Sequence, residues 1–481
     1  MNREFFVNII FLIVINVIIK PIYIFGIDRN VQNLVGEQAY GIYFTLSSFC
    51  IMLYIISDLG IQNFNSREIA QHRHLLDKYF SNMLVLKMIL SGVYLLVILA
   101  VTYILQYDFA LYPLVFSIAL NQLLFQWLIY LRSNIAALGY YKTNSVLTVL
   151  DRILLISLCS VLIFIEPFRS KFTIEWFIHA QNTTVFITCV VAFFLVFKHI
   201  KRLKLRLNVP FLLLILRGSL PYALSVFLMG VYTRTDVVMM ERLLPDGDKE
   251  AGIYASAYRL LDAVSIIGFL FSTLLMPMFA RLIKGNQAVA PLLRLSFQLV
   301  WAGAMTLAIG TWFHRASIMQ MLYEKATPYS GDVLGVLILS FISFTGIYIY
   351  NTLLGAKGNL KKMNILYICA IGINIVLNFI LIPTQKALGA AISTFVTQSF
   401  VLLILMFICQ KIFQLKTDWL WIAKLGGFVG AVVATNFIAT NYLFYDNWRW
   451  QFIAGLGICF ILSLLFGFFN YKKMAVLLKG E

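Results

Sequence analysis

Charge is what this chain has least of. Only 12% of its 481 residues are Asp, Glu, Lys or Arg, while 61% are hydrophobic and 15% aromatic, with a mean hydropathy of +0.86. An ordinary soluble domain carries about a quarter charged residues, so a water-facing surface cannot be built from this supply and the chain belongs in a bilayer. Paired cysteines are also lacking. The six present (Cys50, Cys159, Cys189, Cys369, Cys409, Cys459) are scattered through apolar stretches with no CxxC, which predicts small buried hydrophobes and neither disulfides nor metal ligands. No Gly-Lys dipeptide occurs, so there is no P-loop and no ATP hydrolysis by that route. No small-residue cleavage site follows the apolar run at residues 5–19, which therefore reads as an uncleaved first span. His314, Arg315, Glu324 and Asp332, ionisable groups in and beside the longest outer loop, 313–331, are too sparse for a catalytic set. His72 and His74 lack a metal-ligand constellation. The expectation is no enzyme, no metal and no other cofactor.

What the chain does have is long apolar runs. A transmembrane helix needs about 20 mainly apolar residues, and fourteen windows qualify: 5–27, 39–61, 81–104, 108–131, 143–165, 174–197, 212–241, 251–280, 291–312, 332–355, 363–383, 387–409, 419–440 and 451–469. Trp176, Trp312, Trp419, Trp421, Trp448 and Trp450 fall at span ends, where amphipathic indoles prefer to sit. The chain is strongly basic, with 38 Lys+Arg against 21 Asp+Glu. With the N-terminus inside, and Arg294 counted with the inner segment it borders, 22 of the 38 cations fall in inner segments, nine in outer loops and seven elsewhere within spans. That asymmetry predicts both termini in the cytoplasm. The densest cluster, Lys198, Lys201, Arg202, Lys204 and Arg206, reads as a topology anchor at anionic headgroups, with no nucleic-acid role.

Two local matches indicate a repeat. Ala39-Tyr40-Gly41-Ile42-Tyr43 matches Glu250-Ala251-Gly252-Ile253-Tyr254 at an offset of 211, and the segment 130–142 matches 349–361 at an offset of 219, each with a Gly and a Lys three apart. An offset of six spans preserves topology, so the halves run parallel in sense, as in transporters built from two related bundles with substrate between them. The predicted architecture is all-α: a six-helix bundle at 1–200, a second at 201–410, and two extra helices at 411–481.

Ionisable residues inside spans are functional candidates by default, since a central charge costs about 2.5–3.5 kcal/mol on insertion scales. Lys20, Arg152, Arg234 and Arg259 lie deep and are read as lining a cavity. Lys87 is about two turns in, where snorkelling and a cavity role are both open. Arg259 and Asp262 are three apart and can pair on one helix face. Arg234 and Asp236 are two apart, and Asp151 and Arg152 adjacent, so these diverge and Arg152 and Arg234 are expected to find partners elsewhere. Asp236 and Asp262 are candidates to bind a proton or sodium ion, or simply to balance an arginine. Pro21, Pro221 and Pro277 are candidate bends, and Gly426 to Gly430 forms a GxxxG suited to packing of the extra pair or to self-association.

Tyr40-Gly41-Ile42-Tyr43 with Asp58-Leu59-Gly60, Gly218-Ser219-Leu220-Pro221 with Asp236, Ala251-Gly252-Ile253-Tyr254-Ala255, and Leu353-Leu354-Gly355-Ala356-Lys357-Gly358-Asn359 resemble the MOP (multidrug/oligosaccharidyl-lipid/polysaccharide) superfamily. The resemblance, over most of residues 1–410, is to its polysaccharide-export branch and looks like a Wzx-type O-antigen or capsule repeat-unit flippase. It implies a V-shaped pair of six-helix bundles opening alternately to each side of a bacterial inner membrane. The implied substrate is an undecaprenyl-pyrophosphate-linked oligosaccharide moved to the periplasmic leaflet, in lipopolysaccharide or capsule synthesis beside a polysaccharide polymerase and a chain-length regulator. Given such a substrate, Lys20, Arg152, Arg234, Arg259 and Lys87 would give the cavity a positive potential, with guanidinium forks suited to phosphate oxygens. The alternatives are a lipid II flippase, which also has fourteen spans and a cationic cavity, and a drug or cation antiporter, for which an acidic cavity is expected.

Overall fold

A computed structural model describes residues 18–61, 76–200, 209–442 and 447–468. Arg3, His72, His74 and the cations at 201–206 lie outside the described residues. Among the described residues the chain is helical without strands, as a bilayer demands where no water satisfies the backbone. The helices are α1 (Ile18–Ser57), α2 (Leu76–Ile104), α3 (Tyr112–Ala137), α4 (Tyr141–Phe164), α5 (Ile174–Phe197), α6 (Val209–Leu243), α7 (Gly247–Lys284), α8 (Ala290–Phe313), the short α9 (Arg315–Leu322), α10 (Pro328–Lys357), α11 (Leu360–Phe413), α12 (Trp419–Tyr442) and α13 (Trp448–Leu465). Twelve segments among the described residues are long and apolar enough to cross a membrane.

The predicted spans are all recognisable where described, with two differences in how they join. The predicted connection at 28–38 is helical, because a π-helical turn at Ile22–Asp28 runs straight into the next segment. Gly36, at φ 84° and ψ 168°, breaks that line, a conformation open to glycine alone at low cost. The predicted spans 363–383 and 387–409 are arms of α11, divided at Lys386 (φ 53°, ψ −130°). The sharpest breaks thus fall at Gly36 and Lys386, while Pro221 and Pro277 sit inside helices α6 and α7.

The chain forms two compact units, 1–241 and 242–481. Residues 201–241, with most of α6, fall in the first unit, where the sequence division at residue 200 puts them in the second. Gly60 approaches Ser219, the Arg234 guanidinium lies 6.0 Å from the Phe44 ring, and the Tyr107 hydroxyl donates to Glu241 Oε2 at 3.2 Å. In the first unit α5 packs on α3 and α4; in the second, α10 lies against α7, α8 and α11, and α12 and α13 pair with each other and with α8.

The repeat carries through to geometry. Gly139 and Gly358, matched at offset 219, both take left-handed φ (91° and 76°) where α3 and α10 end. Tyr43 and Tyr254, matched at offset 211, each bond a partner about 140 residues on within their own unit: Gln181 Nε2 donates to the Tyr43 hydroxyl at 2.9 Å, and the Tyr254 hydroxyl lies 3.0 Å from Thr394 Oγ1. The GxxxG does not pack α12 on α13. Gly426 and Gly430 face open space, whereas buried Phe428 packs against Phe466 and Phe468.

Candidate functional site

The first unit gathers most of the intramembrane charge around α1. The wider π turn brings residues five apart into register, so the Tyr23 hydroxyl reaches Asp28 Oδ1 at 3.5 Å, while the Tyr40 hydroxyl donates to Oδ2 at 2.7 Å. Asp28 is only 1% exposed. Arg152 of α4 places its guanidinium 4.9 Å over the Tyr23 ring. Arg234 of α6 leans on Phe44, in the turn after Tyr40. Tyr40, Tyr43 and Phe177 form an edge-to-face row with centroids 5.6 Å apart. Each arginine thus rests one face of its guanidinium on an aromatic ring, a cation–π contact.

The other predicted site residues divide by environment. Arg152 does not diverge from its neighbour as expected: its Nε lies 3.4 Å from Asp151 Oδ2, the long side chain folding back over the helix, with 32% of it still exposed. Arg259 and Asp262 pair along α7 at 3.8 Å, both half-buried, as their spacing predicts. Asp236 is buried on α6, two residues after Arg234, and Lys20 is half-buried at the start of α1.

Lys87 departs most from its assignment as a cavity cation. It is 0% exposed, and its Nζ lies 2.7 Å from Asp58 Oδ1, 3.3 Å from the Ser57 carbonyl and 3.5 Å from that of Gln126, with the Tyr130 ring 5.8 Å away. All three ammonium hydrogens are accounted for. Such a pair survives because each ion's loss of water is offset by an opposite charge and by added hydrogen bonds. Asp58, which the sequence placed as a span-end residue, is its counterion. The Asp58-Leu59-Gly60 motif is a tight turn: Leu59 and Gly60 have φ of 44° and 78°, and a Cβ at Gly60 would stand 3.1 Å from Ser219 atoms. A cavity of about 70 Å³ lies beside it, lined by Tyr54, Asp58, Gln126 and Tyr222 among others.

Sequence reasoning missed Asp28. It fell in a presumed connection, and nothing in local composition signals a π turn that buries it against two tyrosines. Among the described residues no three His, Cys, Asp or Glu side chains come together as a metal cluster. Five of the six cysteines are buried and Cys369 is exposed; all are free.

Comparison with known proteins agrees with this architecture. The family model described as polysaccharide biosynthesis protein matches residues 5–283. No curated protein matches the chain by sequence. Among solved structures, the lipid II flippase MurJ in an inward closed conformation superposes with a TM-score of 0.69 at 14% identity, covering 98% of this chain and 100% of that one. An inward-facing multidrug resistance MATE family transporter of the MOP superfamily gives 0.62 at 14% identity, covering 82% and 96%. A MOP superfamily transporter from Pyrococcus furiosus, described as having a binding pocket of reverse polarity, gives 0.59 at 12% identity, covering 85% and 95%. The fold is that of MOP superfamily transporters, and the chain is a multi-pass membrane protein.

Proposed function

Since the chain belongs to the polysaccharide biosynthesis protein family, we propose that it is a flippase carrying undecaprenyl-pyrophosphate-linked oligosaccharide repeat units from the cytoplasmic to the periplasmic leaflet of a bacterial inner membrane. The observation that carries this reading is the pair of arginines, Arg152 over Tyr23 and Arg234 over Phe44, within membrane-crossing helices. Deep cations are expensive in lipid, and a drug cation would be repelled by them. A pyrophosphate presents oxygens that guanidinium forks bind in two-point fashion. The polyprenyl tail stays in lipid. Lys20 adds to the positive potential; Arg259 shares its charge with Asp262 at 3.8 Å, and Lys87 drops out because its charge is neutralised by Asp58 in full burial.

Transport proceeds by alternating access without chemistry on the substrate. Asp236 and Asp262 are the groups through which a proton or sodium gradient would be coupled. The product feeds O-antigen, capsule or exopolysaccharide synthesis, with a polymerase and chain-length regulator as partners. A lipid II flippase is the second reading, supported by the likeness to MurJ over nearly the whole chain. Deleting the chain's gene and analysing lipid-linked glycans by leaflet tests both. Accumulation of a repeat-unit oligosaccharide on the cytoplasmic face supports the first, accumulation of lipid II supports the second, and neither lipid accumulating rejects the flippase reading.

A further inference from the structure

One end of the second unit holds an ionic cluster that the transport site does not use. Three helical segments start there: α7 at Gly247, α10 at Pro328 and the second arm of α11 after Lys386. Glu250, in the first turn of α7 and 5% exposed, lies where their positive dipole ends meet. Its Oε2 accepts from the Tyr329 hydroxyl at 3.0 Å and from the Ala387 N–H at 3.3 Å. The Tyr329 hydroxyl in turn accepts from the Leu388 N–H at 3.3 Å. Glu250 and Tyr329 therefore cap the second arm of α11, filling N–H groups that a helix start leaves open.

Lys386 closes the cluster. Its Nζ lies 2.5 Å from Asp246 Oδ2 and 3.4 Å from Glu250 Oε1, although its own backbone (φ 53°, ψ −130°) is one that side-chain-bearing residues rarely adopt. Gly389 completes the turn, since a Cβ there would collide with the Leu381 carbonyl. At the offset of 211 the first unit has Ala39, which carries no carboxylate, at the place of Glu250.

We propose that Lys386 is a latch: while its ammonium is held by Asp246 and Glu250, the unfavourable turn dividing α11 persists, and on release the second arm loses its N-terminal caps and moves relative to the first. By the charge asymmetry this is the outer end of the unit, so the latch acts on one unit only during access changes there. Its purpose rests on the transporter reading, but its geometry does not.

The test uses the full chain in lipid nanodiscs without substrate, with backbone hydrogen exchange read over residues 384–390. Lys386→Ala keeps a side chain on the unfavourable backbone but removes the ammonium, and the Ala387 and Leu388 amides exchange about two- to fivefold faster, as loss of a largely exposed ion pair predicts. Lys386→Gly also removes the ammonium yet tolerates the turn, so its exchange stays closer to the parent. Glu250→Gln speeds exchange about as much as Lys386→Ala and carries the test should that variant fail to fold. Parent-like exchange in Lys386→Ala and Glu250→Gln overturns the latch, as does Lys386→Gly exchanging as fast as Lys386→Ala. The readout involves no ligand, so it stands whichever lipid the protein moves.

Discussion

Replacing Lys87 with Met tests whether a buried intramembrane cation serves structure or substrate. The substitution removes an ammonium at 0% exposure whose carboxylate partner is 2.7 Å away and 3% exposed, leaving Asp58 charged and buried or forcing it to take up a proton. Breaking one side of such a pair costs about 3–5 kcal/mol, which is a factor of about 150 to 5,000 in the folding equilibrium. Replacing both partners, as Lys87→Met with Asp58→Leu, removes the stranded charge and returns most of that loss, because apolar replacement of a buried pair is often neutral. The double-mutant cycle is read by thermal unfolding in nanodiscs, with transport normalised to folded protein. A coupling energy of about 2–4 kcal/mol and near-normal transport in the double variant are expected. If Lys87→Met unfolds like the parent while its transport collapses, the ammonium belongs to the substrate and the assignment here is wrong.

Tyr40→Phe removes the 2.7 Å hydrogen bond to buried Asp28 and lowers stability by about 1–3 kcal/mol, read by the same unfolding assay; no change would show that Asp28 does not depend on that hydroxyl. Gly331→Ala puts a Cβ about 2.8 Å from the Ala316 backbone, and the overpacking costs about 1–3 kcal/mol in thermal unfolding. The hydrogen bond from Lys386 holds the Asp246 carboxyl below its ordinary 3.8, with the charges of Lys386 and Lys249 in support. Its contribution is therefore present above that ordinary value and lost only as pH falls through the lower folded one. Exchange over residues 384–390, corrected for intrinsic rates, should be flat from about pH 7 to about pH 5. Burial lowers the pKa of His314 from 6.5, so stability falls as pH drops below that value, because the unfolded chain takes up the proton more readily. His314→Gln should flatten unfolding temperature against pH in that range.

The hydropathic pattern made the helices legible, because a bilayer leaves few alternatives for a run of about 20 apolar residues. The repeat was legible because Gly139 and Gly358 must both close a helix in a left-handed conformation, and Tyr43 and Tyr254 each fasten their own unit. Joints were not legible. The π turn that buries Asp28 and the turn at Lys386 depend on tertiary partners, Tyr40 for the one and Asp246 and Glu250 for the other, and these lie 12 to 140 residues away. The α6 allegiance to the first unit was hidden for the same reason, since Ser219 and Arg234 carry no local mark of contacts with Gly60 and Phe44. Depth in the sequence could not separate Lys87, fully buried against Asp58, from Arg152, which lies beside Asp151 and keeps a third of its side chain exposed.

In the proposed mechanism Arg152 and Arg234 engage the anionic headgroup of a lipid-linked glycan. The direct measurement is flipping of undecaprenyl-pyrophosphate-linked oligosaccharide in vesicles containing the purified chain, with Arg152→Ala and Arg234→Ala prepared at matched protein levels. Each substitution removes a charge-assisted contact worth about 1.5–3 kcal/mol, so a loss of about tenfold or more is expected in each variant. Parent rates in both variants would contradict it.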